Sequence, residues 1–399
     1  MEIMNINSEL NFRMLINRKI GWCFILSLIF IILVNTIYAQ NTDDKEFAEI
    51  LQKTLDESAQ QSDVIGGVAS VVTEDSTVWH GATGYSDPLN NIKMQTDMLF
   101  NIGSISKTYI AVLTLKMVEQ GRLSLNDTVG KWFPDYANVN PKVTVAQLLN
   151  HTSGLFDYVK HENCPWQNIW TTTKIWQPEE ILKKLVKEPY FEPGEDWHYS
   201  NTNYLLLKKI IDKITDNQYE VTLIKELLDP YAFKNTVPGY MGILIIPTER
   251  SPVYWRKLHG IRRNMSATGR TWESLNYRIL TTAGELAAWT DALYHRKLIL
   301  SDDMLTKMLN FHTPTPNDYP LSGYGYGVCS FKKKEAKQLF GHEIEMIGHV
   351  GNGMDYKSIA VYLPEYAATI SLLINEDSTG GLINIFSEML AEVVEYLDK

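Results

Sequence analysis

Residues 108–119 hold Ile110, Ala111, Val112, Leu113, Leu115, Met117 and Val118, so apolar side chains cover nearly the whole circumference of a helix formed there. Such a helix is stable only when other elements surround it, and Gly121 supplies a stop signal just past its end. The chain must wrap this segment. The residues leading into it, Phe100-Asn101-Ile102-Gly103-Ser104-Ile105-Ser106-Lys107, are thereby carried to the edge of the interior.

The rest of the chain has the material for that task. Of its 399 residues, 45% are hydrophobic and 21% charged, the balance of a globular protein, and the length suits one large two-lobed unit or two domains. There is no fixed-period repeat, which excludes solenoids and propellers. A net charge of −10 argues against a nucleic-acid partner and selects no substrate.

Residues 1–39 differ in kind. Arg13, Arg18 and Lys19 precede an apolar run from Ile20 through Val34, closed by Ile37-Tyr38-Ala39-Gln40. That pattern predicts an export signal cut after Ala39. Roughly 18 apolar residues are also just enough to span a bilayer, so a retained anchor stays open. Either way residues 40–399 are expected outside the cytoplasm, in the periplasm or beyond it, touching a membrane only if the anchor is kept. Cys23 sits at the start of the apolar run, away from a lipoprotein position. Cys164 and Cys329 are too few for a disulfide framework, and pair with each other or remain two thiols.

The element pattern predicts an α+β fold, an antiparallel sheet flanked by helices with an inserted helical lobe. A helix is expected over residues 44–60, then strands over 66–72 and 77–80 around the turn Glu74-Asp75-Ser76. Four further strands are expected at Tyr324–Phe331, Glu345–His349, Ser358–Leu363 and Thr369–Asn375, with a closing helix over Leu382–Leu397. The sheet is then made from both ends of the chain, residues 44–124 and 276–399. Residues 125–275 supply the helical lobe, with helical patterns at Val145–Leu149, Glu179–Val186 and Tyr204–Ile214. Residues 251–276, with Arg256, Arg262, Arg263 and Arg270 among polar neighbours, read as a long loop over the cleft, and Thr281–Leu293 as a helix.

Three short patterns carry chemistry. Ser104-Ile105-Ser106-Lys107 opens the buried helix, where residues three apart share a face and the amine can meet the hydroxyl. Burial and the helix N-terminus both disfavour the charged amine, which makes it a better base. Ser330-Phe331-Lys332-Lys333 has the same spacing but falls in an expected strand, where such residues face opposite ways. Tyr199-Ser200-Asn201 follows the turn Pro193-Gly194: a phenol beside Ser and Lys can move a proton, and a side-chain amide can orient a substrate carbonyl. Tyr136-Ala137-Asn138 has the same pattern, so the pattern alone does not decide. His349-Val350-Gly351 ends a strand where substrate backbone can approach and a backbone N–H can join that of Ser104 in an oxyanion hole.

In this order and spacing the three patterns resemble the serine β-lactamase and penicillin-binding protein superfamily, closest to its class C β-lactamase, esterase and D-peptidase branch. Supporting stretches are Phe100–Asp127, Val145–Leu155, Thr281–Leu286 and Gly323–Gly327. The resemblance implies acyl transfer without a cofactor or metal, on a small-molecule or peptide substrate. Carried over residue by residue, it makes Ser104 the nucleophile, Lys107 and Tyr199 the proton-transfer pair, and Asn201, His349, Gly351 and Asn352 the substrate contacts.

One departure bears on substrate. Many members carry Lys where this chain has His349, and a neutral imidazole is a weaker partner for a substrate carboxylate. That favours a D-aminopeptidase, another peptidase or an esterase over a true β-lactamase or DD-carboxypeptidase. A non-catalytic penicillin-binding sensor or scaffold is the reading of a different class. Zinc-protease chemistry is disfavoured because His342-Glu343-Ile344-Glu345-Met346 lacks the second His, and Gly-x-Ser-x-Gly is absent.

Overall fold

The computed structural model describes residues 44–74, 78–164, 176–239, 250–258, 260–265, 278–312, 321–353 and 356–399. The export segment expected over residues 1–39 lies outside them, as do Asp75 and Ser76 of the first turn and residues 266–276 of the expected loop. The chain divides into two compact units, Met1–Leu51 and Gln52–Lys399. Residues 44–51 of the first are helical; the sheet and the site belong to the second.

Strands β1 (Gly66–Val72), β2 (Val78–Asp87) and β3 (Ile92–Lys93) come first. A small sheet follows from β4 (Phe100–Asn101), β5 (Val237–Pro238) and β8 (Ile279–Thr281), and β6 (Trp255–Leu258) and β7 (Ile261–Asn264) form a hairpin. With β9 (Gly323–Tyr324), β10 (Cys329–Phe331), β11 (Met346–Asn352), β12 (Lys357–Leu363) and β13 (Ala368–Ile374), the main sheet has, among the described residues, eight strands in the order β3-β2-β1-β13-β12-β11-β10-β9. Every neighbouring pair is antiparallel. The two ends of the chain meet where β1 pairs with β13, Gly67 opposite Ile374 and Val72 opposite Thr369.

Strands β1 and β13 are buried at every position, which requires cover on both faces. Helix Ala283–Thr290 packs on β1, β12 and β13, and the closing helix Thr379–Leu397 packs on β12 and β13. Helix Ser106–Glu119 is buried at every residue except Lys116, Val118 and Glu119, as its apolar circumference demands. Tyr109 on it stacks on Trp289 with ring centroids 4.0 Å apart, a pairing that contributes about 0.5–1.5 kcal/mol beyond area burial.

Four local expectations need correction. Tyr324–Phe331 is two short strands, β9 and β10, because the chain turns at Gly327 with φ +70°. A Cβ there would stand 2.8 Å from Lys107 O, so only glycine lets the turn press on the buried helix. Residues 333–340, given no element between two expected strands, form a helix that buries Ala336 and Phe340. Part of the expected 251–276 loop is the β6–β7 hairpin, joined to the rest of its unit by Arg262 on Glu376 at 2.8 Å and Arg256 on Asp377 at 3.1 Å. Thr281 belongs to β8, and the helix starts at Ala283 behind Thr282, whose hydroxyl accepts from Glu285 N. Cys164 and Cys329 are buried and not disulfide-bonded.

Candidate active site

Ser104 stands in a single 3-10 turn, Gly103–Ile105, directly before the buried helix. Gly103 has φ +54°, and a Cβ on it would lie 3.1 Å from Asn352 N and 3.3 Å from Gly351 Cα. Gly351 is tighter: its Cβ would stand 2.1 Å from Ile102 O and 2.0 Å from Ser358 Oγ. The two glycines thus bring the backbone of the serine turn against the end of β11. Ser358 Oγ, donating to Ile102 O at 3.0 Å, pins that approach.

Lys107 is 1% exposed. Its Nζ lies 3.1 Å from Ser104 Oγ and donates to Asn201 Oδ1 at 2.9 Å. Burial drives its pKa down to about 7, against the opposing pull of Asp157. Near neutral pH a large share of Lys107 is therefore uncharged, with a lone pair for the Ser104 proton. Tyr199 is half-buried, and Lys107 Nζ sits 4.9 Å from its ring centroid.

The Tyr199–Asn201 segment is held by a stretch that sequence reasoning placed in the resemblance without giving it a role. His151 O accepts from His198 N at 3.0 Å, and His151 Nδ1 accepts from Ser200 N at 3.2 Å. Thr202 Oγ1 and Ser200 Oγ both donate to Phe156 O, at 2.6 and 3.3 Å. Asp157, also missed, is 3% exposed and accepts from Asn201 N at 3.0 Å and Asn201 Nδ2 at 3.1 Å. Burial raises its pKa against the lowering by those hydrogen bonds. The available signal was an acid two residues past Leu155, next to a motif that needs a fixed amide.

His349 is 4% exposed. Its Nδ1–H donates to Val350 O at 2.7 Å, since a carbonyl only accepts, and its bare Nε2 takes the Tyr324 hydroxyl at 3.1 Å. Burial, then the nearby Lys107 charge, lower its pKa to about 3. His349 is accordingly neutral through the physiological range, and both ring nitrogens bond within the protein.

Ser104, Lys107, Tyr199, Asn201, His349 and Asn352 all line one cavity of about 410 Å³, together with Asp157 and the apolar side chains of Phe331, Leu339, Phe340 and Leu382. Gly351 is not a lining residue; it acts through backbone closeness. Ser330, from the discarded second match, has no such company: Lys333 pairs with Glu365 at 2.6 Å. Among the described residues no group of three or more His, Cys, Asp or Glu is placed to hold a metal, and no helix is long and apolar enough to cross a membrane.

The beta-lactamase family model matches residues 51–384, most of the chain. The chain belongs to the beta-lactamase family. Penicillin-binding protein 4* of Bacillus subtilis (strain 168) is 25% identical over 352 residues, spanning 82% of this chain and 71% of that protein. Among solved structures, the D-amino acid amidase of Ochrobactrum anthropi SV3 complexed with L-phenylalanine amide has the same fold. Its TM-score is 0.75 at 22% identity, over 88% of this chain and 99% of that one. A D-stereospecific amidohydrolase from Streptomyces sp. superposes with a TM-score of 0.69 at 24% identity, over 85% and 98%. This beta-lactamase-family chain is a serine hydrolase, with the fold that its three patterns led one to expect.

Proposed function

We propose that the protein is a peptidase or amidase for substrates with a D-configured residue, acting through an acyl-enzyme on Ser104. The observation that carries this reading is Lys107 Nζ, held between Ser104 Oγ and Asn201 Oδ1 with its pKa at about 7. Ser104 Oγ attacks the carbonyl as its proton passes to the Lys107–Tyr199 pair, and backbone N–H groups of Ser104 and the end of β11 receive the oxyanion. The C–N bond then breaks as the pair gives the proton to the leaving amine. Water, deprotonated by the same pair, cleaves the ester and restores Ser104. Asn201 orients the substrate.

The D-preference is supported by the two neighbours, one named a D-amino acid amidase and the other D-stereospecific. A neutral His349 supports an amidase over a true β-lactamase, because no fixed charge stands at that position. Acylation by penicillin without fast release is the second reading, favoured by the likeness to a penicillin-binding protein.

Intact mass after exposure to a fluorophosphonate, on wild type and Ser104→Ala, tests the nucleophile. One adduct on the wild type alone is expected; an adduct on both or on neither overturns the assignment. Hydrolysis of D- over L-amino acid amides and p-nitroanilides, with penicillin and a chromogenic cephalosporin alongside, tests the substrate. We also propose residues 1–39 as an export segment, cut or retained, and fractionation of a C-terminally tagged chain checks it.

A further inference from the structure

We infer that Lys160 binds a carboxylate on the substrate and so selects acidic substrates for the reaction proposed above, on which this inference rests. Among the described residues, four cationic side chains line the cavity at Ser104: Lys107, Lys160, Arg278 and Lys357. Three are already committed. Lys107 is buried and bonded to Ser104 and Asn201, with its pKa lowered by burial to about 7. Lys357 is 3% exposed, donates to Gly353 O at 2.8 Å and pairs with Asp377. Arg278 is 7% exposed and has partners within the protein.

Lys160 differs in each respect. It is exposed, it ends the short turn Tyr158–Lys160 that Asp157 caps, and no acid among the described residues forms an ion pair with it. Asp157, the acid among the described lining residues, is buried and turned to Asn201 and to Val159 N, which donates to it at 3.3 Å. His349 contributes no charge. In a chain of net charge −10, whose overall field repels anions, the described part of the cleft therefore keeps one solvated cation, on the turn that Asp157 caps. The placement fits an anionic group carried beside the scissile amide, with the apolar wall of Phe331, Leu339 and Phe340 taking the uncharged part.

The test is the second-order rate of Ser104 labelling by two fluorophosphonates, one with a neutral alkyl chain and one whose chain ends in a carboxylate. It is read by intact mass on wild type, Lys160→Gln, Lys160→Glu and Lys160→Arg. The neutral-probe rate is the internal reference for each variant. Wild type should favour the carboxylate probe and Lys160→Gln should lose that preference. Lys160→Glu should shift the ratio by about three- to tenfold, the range expected for one exposed charge reversed, and Lys160→Arg should keep it. Added salt should erode the wild-type preference. An unchanged ratio in Lys160→Glu overturns the inference while labelling by the neutral probe upholds the Ser104 reading. No labelling of the wild type by either probe overturns both.

Discussion

Asp157 accepts from both the backbone N and the side-chain Nδ2 of Asn201, at 3.0 and 3.1 Å. The amide nitrogen being committed to the carboxylate, Asn201 must turn its oxygen to Lys107, where Nζ donates at 2.9 Å. A buried acid outside the three sequence patterns thus fixes the orientation of one of them.

Asp157→Asn should separate the two effects of this acid. Its negative charge raises the Lys107 pKa, so removing it should move the acidic limb of the kcat/KM profile to lower pH. Loss of Asn201 positioning should lower kcat by about ten- to hundredfold. A profile with the limb unmoved would count against Asp157 acting on Lys107.

Lys107→Met should be inactive yet more heat-stable than the wild type. The folded-state pKa lies below the ordinary 10.5, so between pH 7 and 10.5 the unfolded chain binds more protons and this group's contribution to stability rises with pH. The variant should gain about 1–4 kcal/mol at pH 7. The gap should narrow as pH rises toward 10.5, and denaturant melts at several pH values measure it.

Gly351→Ala should be destabilising by about 1–3 kcal/mol and should reduce Ser104 acylation. Its Cβ would meet Ile102 O at 2.1 Å and Ser358 Oγ at 2.0 Å, forcing β11 away from the serine turn. Thermal melts paired with fluorophosphonate labelling rates check both halves.

His349→Lys should improve kcat/KM for carboxylate-bearing relative to neutral analogues. A second cation beside Lys107 should also push the acidic limb further down. Equal selectivity in wild type and variant would show that position 349 does not face the carboxylate.

The sequence by itself determined that a helix apolar on all sides would be buried, and that Ser104 and Lys107, three apart at its head, would share a face. Short runs bounded by turn residues likewise located most main-sheet strands. The β9–β10 turn and the helix Lys333–Phe340 were not legible, because Gly327 is pressed on Lys107 O and the helix is held by burial of only Ala336 and Phe340. Only the tertiary structure decided how the site is charged. Lys107 meets Asn201 from 94 residues away, and desolvation at that meeting lowers its pKa. His349 was expected to be mostly neutral, but its depth of neutrality comes from burial and, after it, the Lys107 charge. Local sequence sets which groups are present and which face they share; pKa and amide orientation follow from solvent exclusion and distant partners, which no local pattern encodes.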